Sequence, residues 1–328
     1  MFFFAATAGD GAVAVISNGC KAALLDSQVT ASVLTKGTAA FSVLAGGSLS
    51  ISGSGCSQNS AKLNGACVTS SGALTVRDLT CVGNVAPSGS CLNLPDGSAD
   101  IDTLTCNANT ANVADGACIA ASGVAFVQLA NLRCRGNVAQ TSGACLSLSA
   151  VPATMTSLAL PNIVCDSNKA ALGGCLDLAA GVTVTLSNGV FTANQAATLA
   201  SSGSGGAVNA RGPTVLSACL FGNNTSDNVG AAISVDTTGS LTMDAQTTFA
   251  SNAALSAGGA IFFAGYSSCP SPSTLTATFT KNTIKQATKG GLVINSYSSG
   301  GCCFPVVYSP VFSNAAPATL QIASAQQF

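Results

Sequence analysis

The cysteines are the residues whose spacing points most directly to chemistry. Ten of the 15 cysteines form five pairs whose members lie 10 to 12 residues apart, and the pairs recur every 25 to 31 residues. Two thiols that meet can form a disulfide, which would close a small ring in each copy. The candidate pairs are Cys56 with Cys67, Cys81 with Cys91, Cys106 with Cys118, Cys134 with Cys145, and Cys165 with Cys175.

Four later copies of the same unit replace both cysteines at once. They carry phenylalanine at the first position and alanine or leucine at the second: Phe191 with Ala207, Phe221 with Ala232, Phe249 with Ala260, and Phe279 with Leu292. A joint exchange is what bonded pairs predict, whereas independent small core residues would vary separately. Reduced, buried cysteines remain the alternative. A zinc site is less favoured, because the chain has no histidine and no closely spaced C-x₂₋₄-C pair.

Disulfides indicate an oxidising compartment, so the sequence predicts an extracellular or cell-surface protein. We expect Cys269 to pair with Cys302 or with Cys303 and to clamp the last long loops. The odd number of cysteines leaves at least one thiol without an internal partner, and the pairing of Cys20, Cys219 and Cys303 stays open.

The charged residues offer a second, weaker kind of chemistry. They make up 7% of the chain with a formal net charge of −1, and there is no basic stripe for nucleic acid. The densest group is Asp96, Asp100 and Asp102, with Arg77, Arg133 and Arg135 in neighbouring copies. Stacked copies would place Arg77 opposite Asp102, which predicts a surface ion pair. The alternative is a polysaccharide lyase that uses arginine as a base with calcium. No cofactor is predicted.

Lysines 281, 285 and 289 form a small basic group near the C-terminal end. A solvated face is the simpler interpretation of Lys281, Lys285 and Lys289, and a contact with an anionic glycan is the alternative. No apolar run is long enough for a membrane-spanning helix. The first residues lack a basic segment, and their apolar stretch is too short for a typical signal peptide, so we expect the chain to be part of a longer one, and export by a weak signal is the alternative.

The elements that must position these residues are short strands. In Val182 to Leu186 apolar side chains alternate with threonine, and glycine, serine and asparagine interrupt every window long enough for a helix. A period of two in units of 25 to 31 residues predicts an all-β fold, a single parallel β-helix of about 10–11 turns with three short strands per turn. We expect turns or a cap over residues 1–50, repeats over 51–300 and a degenerate turn or cap over 301–328.

An asparagine lies three residues after the first position of every copy. Asparagines at one place in each turn can bond to each other as a ladder, and asparagine also tolerates the left-handed conformation of a sharp corner. The predicted ladder consists of Asn59, Asn84, Asn109, Asn137, Asn168, Asn194, Asn224, Asn252 and Asn282. Glycine before the second cysteine position predicts a positive φ or a close backbone approach.

Asn223 and Asn224 both begin N-x-S/T glycosylation acceptors. Because Asn224 belongs to the ladder, Asn223 is the glycosylation candidate.

The paired phrases F-x-x-N and G-G-A resemble the repeats of chlamydial polymorphic outer membrane proteins. Phe191 to Asn194 with Gly205 to Val208, and Phe249 to Asn252 with Gly258 to Ile261, carry the resemblance, which covers about residues 50–295. It implies a right-handed β-helix with an adhesive or cell-envelope role. The expected function is therefore a non-catalytic structural or adhesion module whose partner is a glycan or a surface or matrix protein.

Overall fold

The computed structural model describes residues 14–34, 39–197 and 203–264, together with isolated short strands and single positions within residues 3–8 and 274–312. Its regular elements are β-strands, and the described part of the chain has no helix that could cross a bilayer. Strands of successive turns pair in parallel. The predicted all-β parallel β-helix is therefore confirmed.

The first sheet has 13 described strands and contains the cysteine or phenylalanine position of every repeat. In Ala73–Val82, for example, Leu74, Val76, Leu79 and Cys81 are buried. The inward alternation shifts by one at Asp78, which has a φ of 62°. The strands of this sheet are Phe3–Phe4, Lys21–Leu25, Gln28–Thr30, Ser48–Ser57, Ala73–Val82, Ser98–Asn107, Ala125–Arg135, Val164–Asp166, Val190–Thr192, Leu220–Gly222, Thr248–Ala250, Thr278–Thr280 and Val311–Phe312.

The second sheet follows the asparagine of each turn and has 11 described strands, each of two residues. An alanine or another small residue faces inward in most of them, because the space between this sheet and the glycine phrase is narrow. The strands are Thr7–Ala8, Val33–Leu34, Ser60–Ala61, Val85–Ala86, Thr110–Ala111, Val138–Ala139, Lys169–Ala170, Gln195–Ala196, Thr225–Ser226, Ala253–Ala254 and Thr283–Ile284.

The third sheet follows the glycine phrase and also has 11 described strands. In most of these strands the first and third residues point into the main core, which runs the length of the coil. The strands are Ala14–Ile16, Phe41–Val43, Val68–Ser70, Leu92–Leu94, Ile119–Ala121, Leu146–Leu148, Leu176–Leu178, Val208–Ala210, Ile233–Val235, Ile261–Phe263 and Ile294–Ser296.

A fourth sheet was not expected from the sequence. In the four turns from Ser48–Ser57 to Ala125–Arg135 one long strand bends at a left-handed residue and continues, whereas the turn before them has Lys21–Leu25 and Gln28–Thr30 as separate strands, and in later turns the ladder breaks at that bend. The first half of the long strand then belongs to a separate sheet of six described strands: Ser157–Pro161, Thr183–Ser187, Pro213–Ser217, Ser240–Met243, Thr274–Leu275 and Val306–Val307. Three strands per turn is thus right for the turns with a long strand, and later turns have four.

Equivalent residues of neighbouring turns stack directly on each other. Cys81 pairs in register with Cys106, which pairs with Cys134. Differences in repeat length are absorbed outside the paired residues, as at Val127, which bulges from its strand and is 75% exposed. The same sheets include strands from before residue 50, so the N-terminal segment contributes turns to the same coil.

Candidate functional site

All five predicted cysteine pairs are disulfide-bonded in the structure. The Cα–Cα separations are 5.6 to 6.2 Å, within the usual range for a disulfide. Each bridge joins a first-sheet strand to the residue just before a third-sheet strand, and all ten cysteines are buried. Each bridge therefore crosses the interior of its own turn.

Cys175 shows how the second cysteine reaches the core. Simple alternation would place Cys175 and Leu176 on opposite faces, yet both are fully buried. Cys175 lies in the bend that follows Gly173, whose φ is +55°, and the strand begins only at Leu176. The expected positive φ of this glycine is present, and alternation starts one residue after the bridge.

Bridges of neighbouring turns are so close that both sulfurs of one bridge lie near a sulfur of the next. The Sγ atoms of Cys81, Cys91 and Cys106 are within 4.8 Å of one another, and a second group contains Cys145, Cys165 and Cys175. Metal ions bind the thiolate form of cysteine, and a disulfide sulfur has no such form. We therefore interpret the two groups as part of a column of stacked disulfides and not as metal sites.

In the later turns, phenylalanine rings continue this column. Cys165 pairs in register with Phe191, and the rings of Phe191, Phe221, Phe249 and Phe279 follow with centroid separations of 4.7 to 4.9 Å. The alanines Ala207, Ala232 and Ala260 take the place of the second cysteine and are buried.

The predicted asparagine ladder is present from Asn59 to Asn282. In one representative step, the Asn109 Nδ2 donates to Asn137 Oδ1 at 3.0 Å and to the Cys81 carbonyl at 3.0 Å. The backbone N–H of Asn109 donates to the same Asn137 Oδ1 at 3.0 Å. Both amide hydrogens and the oxygen of each interior asparagine are thus used, which offsets the cost of burying the group.

The left-handed corner lies one residue before each ladder asparagine. Gln58, Ala108, Ser167, Ala193, Asn223 and Ser251 all have φ between 53° and 58°, and Gly83 and Gly136 occupy the same position. The expectation that the ladder asparagines themselves take this conformation is therefore wrong. The preceding residue turns the chain, and this turn directs the asparagine side chain inward.

A second amide ladder, which sequence reasoning missed, follows the outer bend of the first sheet. Asn131 donates to Asp102 Oδ1 at 2.6 Å, Asn162 donates to Asn131 at 3.0 Å, and Asn188 donates to Asn162 at 3.4 Å. These three asparagines have positive φ. Their signal was present in the sequence, since each lies three residues before the cysteine or phenylalanine of its turn.

The charged group around Arg77 is an ion pair with a different partner from the one expected. Arg77 is in register with Asp102, but its guanidinium contacts Asp100 at 2.6 Å. Asp102 instead accepts from Asn131. The hydrogen bond from Arg77 to Asp100 raises the pKa of the guanidinium despite some desolvation. A second surface pair joins Arg135 to Asp166 at 3.3 Å.

A buried ion pair, also missed, lies on the outer side of the third sheet. Asp177 is 3% exposed and accepts from Arg211 at 2.9 Å and from Asn209 at 2.8 Å. Arg211 also donates to the Leu148 carbonyl at 3.1 Å, so it ties together three turns at the junction of the cysteine and phenylalanine copies. Burial raises the pKa of Asp177 although Arg211 opposes this.

Asp244 closes the outer bend of a later turn. It accepts hydrogen bonds from the Ser217 hydroxyl at 2.8 Å, the Thr247 hydroxyl at 2.9 Å and the Ala218 N–H. Burial alone would raise the pKa of Asp244, but these donors outweigh it and the pKa is lowered.

One open groove, of about 430 Å³, lies beside the second sheet near the N-terminal end. Its walls include Val33, Pro87 and Val113, and Lys62 is its charged side chain. The Arg77–Asp100 and Asp177–Arg211 pairs do not line this groove.

Asn223 and Asn224 differ sharply in accessibility. Asn224 is 0% exposed and is a ladder member, whereas Asn223 is exposed at the corner. Cys20 is exposed and unpaired, and Cys219 is a buried free thiol. Cys269, Cys302, Cys303, Lys281, Lys285 and Lys289 lie outside the described residues.

Comparison of the chain with protein-family models, curated proteins and solved structures finds no match.

Proposed function

We propose that this chain is a non-catalytic structural or adhesion module, a stiff spacer or adhesin of the extracellular space or the cell surface. The observation that carries the proposal is the column of five bridges, each within one turn. Disulfides persist in oxidising compartments, and such a column adds rigidity without any reactive group. The resemblance to polymorphic outer membrane proteins supports an adhesive or envelope role.

Two further features suit a rod. The ladder from Asn59 to Asn282 uses the polar groups that a binding site would leave free. The outer surface has few charges, because charged residues are 7% of the chain. We propose a glycan or a surface or matrix protein as the partner.

The alternative, a polysaccharide lyase, needs a basic group that can remove a proton from a sugar carbon. Arg77 is a poor candidate, because its hydrogen bond to Asp100 raises its pKa and makes the neutral form scarcer. The open groove has Lys62 as its charged wall residue. The hydrogen bond between Arg77 and Asp100, and a groove with one charged wall residue, favour a binding or spacer role over elimination.

The test begins with intact source cells and their medium. We expect a membrane-impermeant biotin reagent to label the protein on the cells, or the protein to be found in the medium. Thiol alkylation before reduction should leave the ten bridge cysteines unmodified. Alkylation of these cysteines in freshly lysed cells would contradict the proposal.

The purified chain then separates binding from catalysis. We expect saturable binding to one class of immobilised glycan or matrix protein if it is an adhesin, and none if it is a spacer. Incubation with pectate and alginate, with and without calcium, should release no unsaturated uronate. Release of that product would establish the lyase alternative.

A further inference from the structure

The asparagines of the two overlapping glycosylation acceptors lie at one corner of the coil, where one side chain is exposed and the other is buried. Asn223 is the exposed left-handed residue, with a φ of 54°, and Asn224 is the next residue, turned inward. The corner backbone is held by the Asn223 N–H, which donates to the Ala250 carbonyl at 3.0 Å. The Asn223 carboxamide has no hydrogen-bond partner among the described residues.

Every hydrogen-bonding group of the Asn224 side chain already has a partner within the ladder. Its Nδ2 donates to the Phe191 carbonyl at 2.9 Å and to Asn252 Oδ1 at 3.0 Å. Its Oδ1 accepts both the backbone N–H and the Nδ2 of Asn194. A glycosylated amide keeps only one N–H, and a glycan has no space at a fully buried position, so modification there would break the ladder.

The surroundings of Asn223 leave room for a glycan. The corners of the two adjacent turns carry Ala193 and Ser251, both small and exposed. A Cβ placed on Gly222, the residue before Asn223, would meet a neighbour only at 3.7 Å. A first sugar on Asn223 therefore projects from a ridge of small side chains into solvent.

We propose that Asn223 carries an N-linked glycan, an inference that rests on the proposed extracellular or cell-surface location. The donor is a lipid-diphosphate-linked oligosaccharide. The Asn223 Nδ2 forms a bond to the anomeric carbon, the bond from that carbon to the diphosphate oxygen breaks, and one amide proton goes to a base. The hydroxyl two residues on, in Thr225, completes the acceptor.

The overlap of the two acceptors supplies a matched pair of variants. Thr225→Ala removes the Asn223 acceptor and keeps Asn224-x-Ser226, whereas Ser226→Ala removes the Asn224 acceptor and keeps Asn223. Both should fold, because the neighbouring turn has alanine in register with each, Ala253 with Thr225 and Ala254 with Ser226. Ser226→Ala costs more stability, since the buried Ser226 hydroxyl donates to the Gly203 and Val229 carbonyls. Asn223→Gln is the direct knockout.

The proteins are secreted from a eukaryotic host behind an added cleavable signal and mapped by mass spectrometry. Peptide N-glycosidase converts a glycosylated asparagine to aspartate, which identifies the modified residue. We expect the glycan on Asn223 in the starting protein and in Ser226→Ala, and its complete loss in Thr225→Ala and Asn223→Gln.

Alkylation of the same samples checks that the five bridges have formed, so loss of the glycan is separated from loss of the fold. A folded, secreted protein without a glycan on Asn223, or with one on Asn224, would overturn the inference. Because the host supplies the secretory route, this result is independent of where the native chain is found, which the biotin experiment decides.

Discussion

The cysteine turns, from Cys56 to Cys175, and the phenylalanine turns, from Phe191 to Phe279, fill the same interior column by different means. In the cysteine turns a covalent bridge joins two walls of the coil. In the phenylalanine turns a ring fills the space and a small residue faces it. The backbone register passes from Cys165 to Phe191 without a shift.

The coil determines how these groups meet. The phenylalanine rings stack with interplanar angles of 4° to 11° and centroids 4.7 to 4.9 Å apart. Offset-stacked aromatic pairs have centroids about 4.5–7 Å apart, and paired strands are about 4.8 Å apart. The strand spacing therefore imposes the stacking, and the asparagine ladder, which continues through the boundary at 3.0 Å, is the frame that both regions share.

Complete reduction should separate the two regions most strongly. Each bridge joins cysteines that lie 10 to 12 positions apart in sequence, and its loss should cost about 3 kcal/mol. Five such losses are comparable to the whole stability of a domain, about 5–15 kcal/mol. We expect a dithiol to abolish hydrogen-exchange protection in residues 56–175 while residues 203–264 keep much of theirs. Equal loss in both regions would contradict the comparison.

Removing one ladder amide should affect the two regions equally. Asn137→Ala leaves the Asn109 N–H and Nδ2 without their shared acceptor, and Asn224→Ala does the same to Asn194. Each should lower the free energy of unfolding by about 3–5 kcal/mol, since every unsatisfied buried donor costs about 1–3 kcal/mol.

The control for this pair is Asn162→Ala, in the exposed ladder, which should cost only about 1 kcal/mol, because the side chain is exposed and alanine already takes the same left-handed conformation at Ala218, the equivalent position of a later turn. Urea denaturation measures all three variants. A cost confined to one region would show that the ladder is not a common frame.

Copying the phenylalanine solution into a cysteine turn sharpens the comparison further. The double variant Cys165→Phe with Cys175→Ala places a ring directly under Phe191. We expect it to be more stable than Cys165→Ala with Cys175→Ala by about 3 kcal/mol, because a ring then fills the space that the bridge occupied. If thermal unfolding shows that the two double variants are equally unstable, a phenylalanine ring cannot replace a disulfide in this column.

The smallest effect is a pair of opposite pH dependences. The raised pKa of Asp177 means that its stabilising contribution is present at acidic pH and is lost as pH rises through the folded-state value. The lowered pKa of Asp244 gives a contribution that is present at neutral pH and is lost as pH falls.

Asp177→Asn and Asp244→Asn should therefore change the slope of unfolding free energy against pH in opposite directions. Denaturation of each variant and the parent at several pH values below neutrality measures those slopes. Slopes that change in the same direction would show that one of the two environments is misassigned.

Repetition within the chain explains how much of this could be predicted from sequence. The joint replacement of Cys165 and Cys175 by Phe191 and Ala207 in the next copy revealed the bridges, and fixed spacing revealed the ladder. Contacts that depend on the conformation of a single side chain could not be predicted from the repeats. Arg77 turns to Asp100 although Asp102 is in register. Asp177 sits at an outward position of its strand, and its burial could not be foreseen from alternation.

Non-reducing peptide mapping of the purified protein tests the central claim most directly, because a stacked coil with one bridge inside each turn permits only one pairing. The account predicts links of Cys56 to Cys67, Cys81 to Cys91, Cys106 to Cys118, Cys134 to Cys145, and Cys165 to Cys175. Links between different turns, or ten free thiols, would contradict it.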